Sequence, residues 1–315
     1  MKEDQYMITR RKLFQSTTAI GIGMLASPAG FAEKHESNMA ARIFFDSYGA
    51  LALRQAVKYA GDDGFVASLP QILHARVNAD YDNIIWNTWF TANSEESVIK
   101  TPQGNHVVVT VHGGGIFGKP SRLERSLRAD LSRHNTHGLT GQYAAKITEF
   151  EARELLGGRL PDGTEFPIYD FDAFRQGIAD LPWRYGVVLD FDKAKKSETG
   201  HVTFDTLRDD PIMICRAGGV DAAAAYLDKA GKRNDTSKMR IVHGHDEINP
   251  DEPQTILLTL GGNKGGMGSD GHEGLSWGYG EDWGLGWSGP VGMDRYVAVA
   301  PGNASTSLQK LDFEF

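Results

Sequence analysis

The sequence predicts a layered α/β or α+β domain, with a mixed β-sheet, flanking helices and a long glycine- and tryptophan-rich excursion near the C-terminus. Helical segments alternate with apolar, strand-like segments through the middle of the chain. Three of the apolar runs, residues 106–111, 186–191 and 211–215, lack a regular alternation of polar and apolar positions. Such runs are typical of strands covered on both faces, so we expect them at the centre of the sheet.

The segments between these runs complete the prediction. Residues 48–59, 121–134, 148–156 and 220–230 have helical spacing, and a further helix is expected over 65–77. Residues 83–90 are aromatic and β-branched, which predicts a strand, as do the short apolar runs 239–242 and 255–260. No linker separates two domains, so residues 33–315 are expected to form a single globular unit.

Composition excludes several classes of protein. The 315 residues are 40% hydrophobic and 23% charged, which is typical of a globular chain rather than a disordered or membrane-spanning one. Lys and Arg number 33 against 41 Asp and Glu, giving a formal charge of −8. A net negative chain is a poor ligand for nucleic-acid phosphates. The single cysteine, Cys215, excludes an intrachain disulfide and an iron–sulfur cluster held by this chain alone.

Residues 1–32 have the order of features found in an export signal. Arg10 and Arg11 are followed by apolar residues and resemble the twin-arginine motif. An apolar stretch comes next, too short to span a membrane, and the segment Ala29-Gly30-Phe31-Ala32 supplies small residues at the −3 and −1 positions of a cleavage point before Glu33. The resemblance implies a periplasmic or secreted protein that is exported already folded by the twin-arginine machinery.

The strand over 106–111 ends in a run of glycines that suggests an oxyanion hole. His112, Gly113, Gly114 and Gly115 resemble the HGGG motif of the α/β-hydrolase lipases and esterases, in which backbone N–H groups bind the oxyanion. Ser276 lies in a G-x-S-x-G pattern that would supply the nucleophile. The resemblance implies a serine hydrolase with His112 and Ser276 as catalytic residues. No histidine follows Ser276, however, so the family's Ser–acid–His order is absent.

Histidines close to acids suggest a divalent metal site instead. His243 and His245 follow the strand expected over 239–242, and their i, i+2 spacing places both on one side of an extended chain. Imidazole and carboxylate ligands suit zinc, iron or copper, so Asp246 and His272 are candidates to complete the shell. Glu247 and Glu273 could then move a proton as general acid or base. A second pair, His134 and His137, has the spacing of one helical face and is a weaker candidate.

The excursion, residues 261–292, holds 13 of the 37 glycines and three of the six tryptophans. Trp277, Trp283 and Trp287 could stack on a sugar or another flat ligand, or they could fill the core across tight turns. A cleft is therefore expected where the turn after residue 112, the loop after residue 242 and the excursion meet.

Three functions remain open from the sequence. The first is an exported, metal-dependent enzyme acting on a small molecule, the second a serine hydrolase, and the third a noncatalytic periplasmic ligand-binding protein. The sequence favours an enzyme without naming its reaction or substrate.

Overall fold

The structure is a computed structural model of the chain that describes residues 6–9, 39–46, 48–132, 145–234, 237–243, 245, 249–261, 274–277 and 294–301. Within these residues it shows the expected layered arrangement of mixed sheet and helices. The strands are β1 (Tyr6–Thr9), β2 (Met39–Asp46), β3 (Phe65–Val66), β4 (Phe90–Lys100), β5 (His106–His112), β6 (Ala145–Lys146), β7 (Ile168–Asp170), β8 (Tyr185–Asp190), β9 (Gly200–Thr203), β10 (Lys238–Val242), β11 (Gln254–Leu260), β12 (Gly274–Trp277) and β13 (Asp294–Pro301). The helices are α1 (Gly49–Ala60), α2 (Leu69–Asn78), α3 (Ile84–Asn87), α4 (Pro120–Ser132), α5 (Glu149–Leu156), α6 (Phe171–Arg175), α7 (Phe191–Ala194), α8 (Phe204–Asp209), α9 (Pro211–Ala217) and α10 (Val220–Asn234).

The larger sheet has the order β7-β8-β5-β4-β11-β12-β10-β9, and β6 pairs with β11 beside it. The pairs β7–β8 and β10–β12 are parallel and the other pairs are antiparallel, so the sheet is mixed. Strands β5 and β8 lie in its interior, as the sequence predicts for residues 106–111 and 186–191. A smaller sheet has the order β1-β2-β13-β3.

Both faces of β5 are covered, which explains its continuous apolar sequence. On one face Val107, Val109 and Val111 belong to a cluster with residues of α1, α4 and α5. On the other face Val108 packs with Ile212 and Ile214 of α9 and with aromatic residues of α6 and α7. The sheet is therefore the middle layer between two sets of helices.

The strand predicted over residues 211–215 is wrong, because these residues form helix α9. Asp210 caps the helix, its side chain accepting a hydrogen bond from the Met213 N–H at 2.8 Å, and Pro211 takes the first helical position. Gly218 ends it with a left-handed φ of 89°. The helix is buried on all sides, so its sequence lacks the polar face that would have shown its period.

The strand predicted over residues 83–90 is also wrong. Asn83 caps the short helix α3, its side chain accepting a hydrogen bond from Ile85 N–H at 3.1 Å, and the strand begins only at Phe90. The helix predicted over 65–77 divides into β3 and α2, because Ser68 and Gln71 form a capping box that starts α2 at Leu69. The other predicted helices and strands are confirmed within about two residues, except that α10 continues beyond the predicted end at residue 230 to Asn234, and that residues 133–134 lie outside the described chain.

Two segments need separate mention. Strand β1 lies within the predicted export signal and pairs with residues 40–43 of β2, while cleavage near Glu33 stays a prediction. The excursion contributes β12, inserted between β10 and β11. Among the described helices, none has the length and apolar character needed to cross a membrane.

Candidate functional site

The middle of the larger sheet carries a buried layer of polar side chains on β4. Glu95 and Glu96 are both 0% exposed, and their side chains lie on opposite faces because successive residues of a strand alternate. Glu96 meets residues of α9 and of the segment after β10, whereas Glu95 meets the turn after β5. We call Glu96, Arg216, His243 and His245 the Glu96 cluster.

Arg216 of α9 forms a two-point ion pair with Glu96. Its Nε donates to Oε1 at 2.9 Å and its Nη2 donates to Oε2 at 2.8 Å. Both side chains are at most 1% exposed. Burial raises the pKa of Glu96, but the charge and hydrogen bonds of Arg216 outweigh it and hold that pKa far below its usual range. Glu96 is therefore an anion inside the protein.

His243 and His245 extend this cluster. His245 is fully buried, with its Nε2 3.5 Å from Oε2 of Glu96. His243 is 3% exposed, and the centres of the two imidazole rings lie 5.4 Å apart, with the ring planes at 23°. Neither ring nitrogen of His243 has a hydrogen-bond partner among the described residues. Burial, with the nearby Arg216 charge, lowers the pKa of His243 and favours a neutral ring.

The structure thus brings together the two histidines that the sequence singles out, but in the interior rather than on a surface loop. Across the described residues, no group of three or more His, Cys, Asp or Glu side chains is arranged to hold a metal ion. Asp246 and His272, the other expected ligands, lie outside the described part of the chain. Metal binding therefore stays a prediction.

His112 is also buried, and both of its ring nitrogens are engaged. Nδ1 lies 2.8 Å from Oγ of Ser94, and Nε2 lies 2.9 Å from the carbonyl oxygen of Cys215. Since a carbonyl only accepts, Nε2 must carry the proton, and the Ser94 hydroxyl then donates to Nδ1. Burial lowers the pKa of His112 to about 4, so the ring is neutral. This geometry ties β5 to β4 and α9 and leaves no ring nitrogen for proton transfer to a substrate.

The glycine turn after His112 wraps around Glu95. The N–H groups of Ile116 and Phe117 donate to the two carboxyl oxygens of Glu95, at 2.5 and 2.9 Å. A Cβ on Gly115 would lie only 1.9 Å from Oε1 of Glu95, so glycine is required there for the carboxyl group to fit. Burial raises the pKa of Glu95 to about 7, and the two N–H groups oppose that shift.

Gly113 and Gly114 have φ values of 81° and 95°, a region that favours glycine. The N–H groups of Ile116 and Phe117, which follow these glycines, bind the carboxyl group of Glu95. An oxyanion hole binds the oxygen of a substrate with N–H groups in the same way. The oxyanion-hole role of Gly113, Gly114 and Gly115 stays a prediction.

The remaining candidate residues lie at or beyond the edge of the described chain. Ser276 and Trp277 are the last two residues of β12, where Ser276 is opposite Val242 of β10 and Thr259 of β11. The other candidates fall outside the described residues: Glu247, Glu273, Trp283, Trp287, His134 and His137.

Both ends of the excursion are held by buried side chains. Arg76 of α2 is 0% exposed and donates to the carbonyl oxygen of Gly261 at 2.6 Å, as well as to those of Ile85 and Thr88. Thr91 donates to the carboxyl group of Asp294 at 2.7 Å. Thr91 is also the partner of Thr259 in the pairing of β4 with β11. The residues at both ends of the excursion therefore lie close to Thr91, near the beginning of β4.

Sequence reasoning missed Glu95, Glu96, Arg216 and Arg76. The segment TANSEES, residues 91–97, is polar except for Ala92 and gives no signal of a central strand. One signal was available: Arg216 directly follows the apolar run 211–215, and a charge next to a buried segment needs a buried partner. The partner's identity depends on tertiary contacts.

Comparisons with protein-family models and with curated proteins find no match for the chain. A solved structure described as "Accommodation of massive sequence variation in Nanoarchaeota by the C-type lectin fold" is similar to it. The two superpose with a TM-score of 0.56 and 24% sequence identity, over 82% of this chain and 96% of the other. At this identity the similarity shows the fold alone.

Proposed function

We propose that the chain is a noncatalytic ligand-binding protein whose framework, similar to the C-type lectin fold, carries ligand-contacting segments. The observation that carries the proposal is the structural similarity, which extends over 96% of the neighbouring chain. The neighbour is described as accommodating massive sequence variation through that fold. We infer that the fold is a stable support for variable residues in this chain too, and we propose that those residues recognise a ligand.

The described polar groups support a framework role. Both nitrogens of His112 are engaged, Glu95 is bound by two backbone N–H groups, and Glu96 is paired with Arg216. A catalytic acid, base or nucleophile has to reach its substrate, and these groups are enclosed within the fold. Their hydrogen bonds instead fix the central strands relative to α9 and the turn after β5.

Ligand contact is assigned to the tryptophans of the excursion. Trp277 ends β12, opposite Leu258 of β11 and beside the end of β10, and the buried contacts of Arg76 and Thr91 hold Gly261 and Asp294. Aromatic faces between glycines suit the apolar faces of sugar rings. We therefore propose a carbohydrate as the ligand, with Trp277, Trp283 and Trp287 as the contact residues.

A glycan array probed with the full chain tests the proposal. Hits are then titrated by tryptophan fluorescence against the wild type and a Trp283→Ala/Trp287→Ala double variant. We expect the double variant to bind at least tenfold more weakly. Phe150→Ala is the matched control, because Phe150 is an aromatic residue on α5 that is 51% exposed, and its variant should bind like the wild type.

Two results would overturn the proposal. The first is the absence of any glycan bound by the wild type, and the second is chemical turnover of a bound glycan. The serine-hydrolase alternative has its own readout: a phosphonate probe should label Ser276 if that residue is a nucleophile, and we expect no labelling.

A further inference from the structure

We propose that Arg184, held by Trp183, forms a binding site for the carboxylate of an acidic sugar. The proposal names a class of carbohydrate, so it deepens the proposed function and rests on that function for the ligand being a sugar. The observation behind it is the state of Arg184. Its Nε–H donates to the carbonyl oxygen of Gly113 at 3.0 Å, whereas Nη1 and Nη2 have no hydrogen-bond partner within the described part of the chain.

The acidic side chains near Arg184 are engaged with other groups. Asp162 and Glu95 are the two acids whose charges act on it. Asp162 forms an ion pair with Lys119, and the carboxyl group of Glu95 is bound by two backbone N–H groups. Burial lowers the pKa of Arg184, so these acids do not fully offset its loss of water. A partly buried guanidinium group without a dedicated anion is suited to receive one from a ligand.

The surroundings of Arg184 fix the orientation of its guanidinium group. The Cζ atom lies over the ring of Trp183, 4.4 Å from the ring centre. That ring lies against Gly113, where a Cβ would come within 3.0 Å of Cε3 of Trp183 and 2.5 Å of its carbonyl oxygen. Trp183 is therefore a positioning residue. With Nε already bound, the two terminal amino groups remain for a ligand, and such a pair of donors matches the two oxygens of a carboxylate.

Arg184 lies at the end of the larger sheet from which the excursion leaves. Strand β8 begins opposite the end of β5, and the end of β5 lies opposite Ser94, near the beginning of β4. Strand β4 begins opposite the end of β11, directly before Gly261. Three strand spacings separate β8 from β11, a distance of about 14 Å. A short oligosaccharide can span this distance from Arg184 to the start of the excursion.

The test is a nuclear magnetic resonance titration of the full chain with glucuronate. The methyl ester of glucuronic acid, which keeps the sugar ring and removes the charge, is titrated in parallel, as is sodium chloride at the same ionic strength. We expect glucuronate alone to shift the Nε–H resonance of Arg184 and the indole N–H resonance of Trp183.

Variants then assign the binding to the guanidinium group. Arg184→Gln should weaken glucuronate binding, followed at Trp183, by about tenfold or more. Arg184→Lys should recover only part of the loss, because it keeps the charge without the pair of donors. Trp183→Leu, followed at Arg184, should lower the preference for glucuronate over its ester, which a loss of folded protein alone would not change. Arg153→Gln is the matched control, because exposed Arg153 also donates from Nε to a backbone carbonyl, that of Glu149, and it should bind like the wild type.

The proposal is overturned if the two resonances do not move in excess glucuronate, if the ester binds as well as the free acid, or if Arg184→Gln binds glucuronate like the wild type. These outcomes are distinct from failure of the proposed function. Glucuronate binding without any hit on the glycan array would leave the carboxylate site in place and remove the proposed function. An array with only neutral hits, and no shift with glucuronate, would do the reverse.

Discussion

Arg216 of α9 and Glu96 of β4 are joined by two hydrogen bonds, at 2.8 and 2.9 Å, in a place that excludes solvent from both side chains. The pair connects a helix packed on one face of the sheet to the central strand. Its parts lie 120 residues apart in the chain. A buried charge pair of this kind depends on both members, because either one alone would leave an uncompensated charge in the interior.

Removing one member of that pair should therefore be strongly destabilising. We expect Glu96→Gln to lower the free energy of unfolding by about 3–5 kcal/mol, measured by urea denaturation. Adding Arg216→Met to Glu96→Gln should recover part of the loss, because it removes the unpaired cation. The control is Arg175→Met in the exposed pair with Asp209, where a change of about 0–1 kcal/mol is expected. A loss below about 1 kcal/mol for Glu96→Gln would contradict a buried ion pair between Glu96 and Arg216.

Gly115 is expected to tolerate no side chain. A Cβ there would lie 1.9 Å from Oε1 of Glu95, which two N–H groups hold in position. Gly115→Ala should cost about 2 kcal/mol or more of unfolding free energy. Gly157→Ala, where the nearest atom to a Cβ is 3.4 Å away, should stay within about 0.5 kcal/mol of the wild type. The cost at Gly115 should shrink when Glu95 is also changed to Ala, and equal costs in both backgrounds would refute the clash.

The burial of His112 predicts a loss of stability in acid. Burial lowers its pKa from 6.5 to about 4. Below pH 6.5 His112 is therefore protonated in the unfolded chain, whereas in the folded chain it stays neutral down to about pH 4. The contribution of a neutral His112 is therefore present above pH 6.5 and falls by up to about 3 kcal/mol as the pH drops to 4.

Comparison with His112→Gln isolates this effect. Glu95 and Asp294, whose pKa values burial raises to about 7, have the opposite sign: their contribution is complete below their ordinary pKa values and is lost as the pH rises to 7. They are common to both chains, so the stability difference between wild type and variant should shrink between pH 7 and pH 4.5. A difference that is independent of pH would show that the pKa of His112 is the same in the folded and the unfolded chain, and would contradict the shift caused by burial.

Export stays a prediction of the sequence, and it has a direct test. The twin-arginine machinery reads the arginine pair, so changing Arg10 and Arg11 to Lys should leave folded precursor in the cytoplasm, measured by cell fractionation. Lys12→Arg is the control and should be exported, with a mature N-terminus near Glu33. Such cleavage removes β1, yet β2 keeps its pairing with β13 along its full length, so the mature chain should remain folded. Export of the double variant at the wild-type rate would show that the protein does not use the twin-arginine machinery.

The sequence by itself determined the layered α/β class, the buried strands β5 and β8 and the long helices, because each has a local pattern of apolar residues. Tertiary structure alone decided that residues 211–215 form a helix, since a segment buried on every side loses the polar face that reveals its period. It also decided that the polar segment 91–97 is a central strand. Its two carboxyl groups are bound by Arg216 and by the N–H groups of Ile116 and Phe117, which are distant in sequence. Pairing between remote residues leaves no periodic signal in either segment, so only the folded chain shows it.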